Sequence, residues 1–147
     1  MPKHFSGTPE QERALSAYVK LLRASESIHQ EAMRPLLSEN LTASQFAVLE
    51  ALFHVGPMCL TDLARKILKT SGNITMVVGN LEKRGLVVRE QNPEDRRYFN
   101  VAITPEGRKL IGRVFPTHLD KIVELMERLD HQEQEALARI CLRLGKV

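Results

Sequence analysis

The sequence predicts a mostly helical α+β fold, and three observations predict it. Helix starts recur: Thr8-Pro9-Glu10-Gln11, Thr42-Ala43-Ser44-Gln45 and Asp130-His131-Gln132-Glu133 each place a capping oxygen three residues before a Gln or Glu. Two alternating runs, 86–90 and 97–103, read as strands joined by the turn-rich Gln91-Asn92-Pro93-Glu94-Asp95. Just before them, two short helical stretches are separated only by Ser71-Gly72-Asn73. Helix, turn, helix, strand, basic turn and strand, in that order, make a winged helix-turn-helix.

The first helix opens at Thr8 with Pro9 in its first turn. It carries Leu15, Tyr18, Val19, Leu22, Ile28 and Met33 at helical spacing, and Pro35 ends or kinks it. The second opens at Thr42, turns Phe46, Leu49 and Phe53 inward, and closes at Gly56-Pro57. Met58-Cys59-Leu60 is short and apolar enough for a third, minimal strand. Thr61 is expected to cap a helix with Leu63, Ala64, Ile67 and Leu68 in one stripe. In the following helix Ile74, Val77, Val78 and Leu81 belong inside, Thr75, Met76, Gly79, Asn80 and Lys83 lie opposite, and Gly85 ends it. After the hairpin, Thr104-Pro105-Glu106 starts a long helix expected to be interrupted at Pro116, and a final helix runs from Asp130 to Gly145. The expected organisation is an N-terminal dimerisation helix over 1–39, a winged helix over 40–104 and C-terminal dimerisation helices over 105–147. The end helices carry more apolar surface than one small core consumes, which points to a homodimer.

Charge separates the centre from the ends. The chain's net charge is +3, but residues 65–109 hold ten Lys/Arg against five acids, a local +5, while the remainder is −2. Positive charge therefore gathers where a polyanion would touch. No apolar run approaches the roughly 20 residues of a membrane span, and the polar start is no signal peptide, so a cytoplasmic protein is expected. Two cysteines, Cys59 and Cys141, are too few for a disulfide framework, and the five histidines show no ligand spacing, so no metal or other cofactor is expected. Cys59 and Cys141 read as inert thiols. No nucleophile–base pair or phosphate-binding glycine loop appears, which gives catalysis no support.

The implied partner is double-stranded DNA. A helix entering the roughly 12 Å major groove needs short side chains, which Ser71, Gly72, Asn73, Thr75, Gly79 and Asn80 supply. Ser71 with the first-turn amides suits a phosphate, Asn73 and Thr75 suit base edges, and Lys83 and Arg84 suit phosphates. At the hairpin tip, Arg96 and Arg97 suit the narrow minor groove, and Asp95 beside them makes sense if its carboxylate orients one guanidinium through a forked pair. A winged helix that docks to protein is the competing class. The charge excess argues against it, as does Gly79 where an anchor would be wanted.

At these residues the sequence resembles the MarR family of bacterial transcription regulators. Four blocks carry the resemblance: LTASQFAVLEAL at 41–52, GPMCLTDLARKI at 56–67, SGNITMVVGNLEKRGLVVRE at 71–90 and PEDRRYFNVAITPEG at 93–107. It implies an obligate homodimer with interlaced end helices, a palindromic operator, and repression relieved by a small ligand or oxidant. By position it matches Asp95 and Arg97 to the wing pair, with Arg96 beside them, and Ser71, Asn73 and Thr75 to the start of the recognition helix. The peroxide-sensing branch uses a cysteine in the N-terminal helix, and no cysteine precedes Cys59; the zinc-sensing histidines do not line up. A thiol- or metal-responsive regulator of the same fold stands as the alternative. An aromatic or lipophilic effector would lie near His29, Met33 and Phe53, in a cleft between the dimer helices and the winged helix.

Overall fold

The computed structural model describes residues 5–67 and 71–145, without the side chains of Ser71 and Gly72. It divides into two compact units: Pro35–Asp120, and the residues up to Arg34 together with those from Lys121 onward.

The helical unit holds α1 (Pro9–Met33), the end of α5 (Pro105–Met126) and α6 (His131–Leu144). Both capping boxes form as the sequence predicts. Thr8 accepts from the Gln11 backbone while the Gln11 side chain accepts from Thr8, and Asp130 and Glu133 repeat the exchange. Each satisfies two N–H groups that the first turn leaves without partners. Helix α1 stops at Met33, and Arg34–Glu39 continues as a 3-10 turn through Pro35. Much apolar surface stays open in this unit: Tyr18, Leu22, Val123, Ile140, Leu142 and Leu144 are exposed.

The winged unit holds α2 (Ala43–Val55), β1 (Met58–Cys59), α3 (Leu60–Lys66), α4 (Ser71–Lys83), β2 (Val87–Gln91), β3 (Phe99–Ile103) and the first part of α5. The antiparallel sheet has the order β1-β3-β2, with Met58 opposite Val101 and Gln91 opposite Phe99. Its core gathers one face of each helix: Phe46, Leu49 and Leu52 from α2, Leu63 from α3, Ile74, Val78 and Leu81 from α4, and Ile111 from α5. These side chains are almost fully buried, and losing a large one from such a core costs several kcal/mol.

Four expectations need correction. Helix α3 starts at Leu60, not after a Thr61 cap. Cys59 occupies the cap position in extended conformation with no side-chain cap, because β1 is paired to β3 and feeds the helix directly. Leu68 lies outside the described residues. The strands begin later than predicted, at Val87 and Phe99: Leu86 is held by the α4 cap, and Arg97 and Tyr98 by the wing turn. Val101 and Ala102 are both buried: successive side chains point to opposite faces of the sheet, so β3 is covered on both faces there and the expected alternation leaves no exposed face at that point. Finally, α5 runs through Pro116 without a break. The ring removes one ladder hydrogen bond there, and the buried Ile111, Val114 and His118 on either side keep the helix seated.

Glycine is required where α4 hands over to the wing. Gly85 takes φ +72, the left-handed region, and the Leu86 N–H reaches back to the Leu81 carbonyl at 3.0 Å, closing the helix. Thr104 locks the other end of the hairpin, donating to the Gly85 carbonyl (2.7 Å) and accepting from the Gly107 N–H (3.1 Å). A Cβ at Gly107 would collide with the Leu86 carbonyl oxygen, so Thr-Pro-Glu-Gly is a splice between wing and α5.

Candidate nucleic-acid interface

Two features of the winged unit project outward: one face of α4, and the turn between β2 and β3. In α4, Ile74, Val77, Val78 and Leu81 are buried at i, i+3, i+4 and i+7. That stripe fixes the helix's rotation, so Asn73, Thr75, Met76, Asn80 and Lys83 are turned out and exposed. The side chain of Ser71 lies outside the described residues.

Arg84, one residue past α4 and expected as a phosphate contact, is exposed and also has partners within the chain. Its guanidinium donates to the carbonyls of Asn40 (2.9 Å) and Glu39 (3.2 Å). Asn40 has φ +54, a conformation that asparagine tolerates, and it ends the 3-10 turn with its carbonyl turned to Arg84. Glu39 in turn accepts two hydrogen bonds from Arg113 of α5, Nε at 3.1 Å and an NH2 at 2.9 Å. The paired Arg113 holds the Glu39 carboxyl below its ordinary range, with the Arg113 and Arg84 charges adding to the effect against partial desolvation. Arg84 therefore ties the end of α4 to the segment entering α2. Sequence reasoning missed this node because its hydrogen-bonded partners are 44 to 74 residues apart.

The wing tip is built by two amides. The Asn92 side-chain oxygen accepts from the N–H of Glu94 (2.9 Å) and of Asp95 (3.3 Å), an Asx turn. Its own N–H donates to the Tyr98 carbonyl (2.9 Å), and Gln91 donates to the Arg96 carbonyl (3.0 Å). On this frame Asp95 meets Arg97 in the expected fork, Nε to Oδ1 at 3.0 Å and an NH2 to Oδ2 at 2.8 Å, while the Arg97 N–H also donates to Oδ1 at 3.1 Å. These bonds hold the Asp95 carboxyl below its usual range, the guanidinium contributing most, and raise Arg97 in return. The Arg97 side chain is nonetheless 82% exposed. Its guanidinium carbon lies 5.9 Å from the centre of the exposed Tyr98 ring, a cation–π neighbour that the sequence did not single out. Arg96 is exposed at the same tip. A guanidinium oriented from behind and open in front can dock against a phosphate or into a minor groove without first being ordered.

The residues named for an effector belong to different units. His29 (exposed) and Met33 (half-buried) lie on α1, and Phe53 (half-buried) lies on α2 with its ring edge-on to His54 at 5.1 Å. Cys59 is half-buried; Cys141 is exposed on α6.

Comparison with known proteins bears on this arrangement. Residues 41–99 match the model of the MarR family. The chain is similar to the HTH-type transcriptional regulator MhqR of Bacillus subtilis (strain 168), with 36% identity covering 91% of this chain and 92% of the relative. Among solved structures it resembles Bordetella bronchiseptica BpsR, described with the regulation of its DNA binding by 6-hydroxynicotinic acid. The match has a TM-score of 0.79 at 26% identity over 100% of this chain and 99% of the other. It also shares the fold of Sco3205, a MarR family regulator from Streptomyces coelicolor solved in complex with DNA. There the TM-score is 0.83 at 23% identity, over 99% and 92% of the two chains.

Proposed function

The chain belongs to the MarR family of transcription regulators, and on that footing we propose that it is a homodimeric, sequence-specific DNA-binding repressor released from a palindromic operator by a small ligand. The observation that carries the reading is the Asp95–Arg97 fork, which spends a carboxylate to aim an exposed guanidinium outward from the wing. In this reading α4 enters the major groove. Asn73, Thr75 and Asn80 face base edges, Lys83 and the Ser71 end of the helix meet phosphates, and Arg96 and Arg97 enter the adjoining minor groove. Arg84 acts from behind by holding α4 in place.

The open apolar surface of the helical unit supports the dimer. Ala14, Ala17, Tyr18 and Leu21 of α1 face Leu137, Ile140, Cys141 and Leu144 of α6 across a groove of about 390 Å³, and a second copy would cover such a surface. Two-fold symmetry then sets two α4 helices one DNA turn apart, about 34 Å. The effector proposed is an aromatic acid, the class to which the BpsR effector belongs. The protein works in the cytoplasm, by binding and without catalysis.

Selection of duplexes from a random pool by the full-length chain, with sedimentation of free and bound protein, tests the proposal. The expected result is an enriched inverted repeat bound by one dimer, with affinity falling steeply as salt rises. A stable monomer, or a pool that stays random, would overturn it.

A further inference from the structure

The middle of α4's outward face is not polar. At 100° per residue the direction opposite the buried Ile74–Val78–Leu81 stripe is occupied by Met76 and Lys83, with Asn73 and Asn80 on one flank and Thr75 on the other. Met76 is 62% exposed, a large apolar side chain standing where the helix protrudes furthest. One turn further on is Gly79, and a Cβ built there would meet nothing within 4 Å. Among the described residues no neighbour demands glycine at that position, and glycine costs a helix conformational freedom. Its bareness serves an approach from outside, which brings Met76 down to whatever α4 meets.

We propose that Met76 is a specificity-determining residue that reads the C5-methyl group of a pyrimidine in the major groove. The inference rests on the DNA-binding reading above. The floor of the major groove offers donors, acceptors and one apolar feature, the methyl at C5 of thymine, which 5-methylcytosine shares. A thioether on three rotatable bonds is polarisable and adaptable enough to cover it. It offers no donor to guanine and only a weak acceptor to the amino groups of adenine and unmodified cytosine in exchange for their lost water. Asn73, Asn80 and Thr75 then supply polar contacts around an apolar centre, and Gly79 allows the depth of insertion.

The test uses the full-length protein and the duplex it selects. Each thymine of a half-site is replaced in turn by deoxyuridine, which removes only the methyl, and each selected cytosine is replaced in turn by 5-methylcytosine. Affinities are measured for the wild type, Met76→Ala and Met76→Gln, with thermal melts to confirm that both exposed-site variants stay folded. One uracil replacement should weaken wild-type binding about four-fold, the worth of one methyl removed from water. The same replacement should leave both variants unaffected. If the methyl comes from 5-methylcytosine instead, methylation at one position should tighten the wild type by a similar factor and the variants not at all. Methyl effects equal in all three proteins, or absent from the wild type, would overturn the assignment of Met76 while leaving sequence-specific binding intact. A pool that stays random would remove the DNA-binding reading and this inference with it.

Discussion

Among its described residues the winged unit contains two arginine–carboxylate forks with nearly the same chemistry and opposite placements. Arg113 grips Glu39 with Nε and an NH2, as Arg97 grips Asp95, and all four hydrogen bonds fall between 2.8 and 3.1 Å. The first fork joins residues 74 apart, and Arg84 braces the backbone beside it, so α4, α5 and the entry to α2 are tied at one point. The second joins residues two apart within one turn and ties down nothing but itself. A local fork cannot stabilise distant elements; it can only choose where a guanidinium points. The lesson is that the same pair ties the fold together when its partners are remote, and when they are adjacent and open it presents a guanidinium to solvent, which the proposed function uses for recognition.

That contrast can be broken from either side. Arg97→Ala should weaken operator binding roughly five- to hundred-fold while the melting temperature stays put, as titration and thermal melts on one preparation would show. An unchanged dissociation constant would remove the wing from the interface. Arg113→Ala should behave in reverse, lowering the melting temperature by about 2–4 °C and leaving affinity within about two-fold, because exposed pairs contribute modestly even when forked. A large loss of affinity with no loss of stability would place Arg113 in the interface instead. Gly79→Ala sharpens the comparison inside α4: stability should rise by roughly 0.5–1 kcal/mol while operator binding weakens. A variant gaining stability at no cost in affinity would show that the groove needs no bare backbone there.

The smallest effect is electrostatic. Because Asp95 has its folded-state pKa lowered, its contribution to stability is present above the unfolded value, near 3.9, and is lost as pH falls through the folded value. A carbon-detected titration of the Asp95 carboxyl should therefore give a midpoint below that of an unstructured aspartate. A midpoint at or above it would mean that the fork does not persist in solution.

How much of this was legible in the sequence follows the same division. The capping boxes, the buried stripe of α4, the hairpin and the Asp95–Arg97 fork all depend on residues a few positions apart, where spacing translates directly into geometry. The Arg84–Glu39–Arg113 node depends on tertiary placement, and nothing in the spacing of those residues announces it; Arg84 read as a phosphate contact because a basic residue just past α4 looks free until the segment at 39–40 is folded against it. The same reason explains the unbroken α5. Pro116 is a local signal, and packing on both sides of it is not. Met76 was legible as a position on the outer face of α4 but carried no polar group to draw attention, and the exposure of Tyr98 beside Arg97 follows from the wing turn, which sequence spacing does not show.

The central claim is that α4 and the wing engage neighbouring grooves of one duplex, and a base-resolution footprint tests it most directly. On a selected operator, the wild type should protect two major-groove patches about one helical turn apart, each with minor-groove protection beside it, and Arg97→Ala should lose the minor-groove protection alone. A footprint unchanged by Arg97→Ala, or protection confined to one groove, would contradict the account.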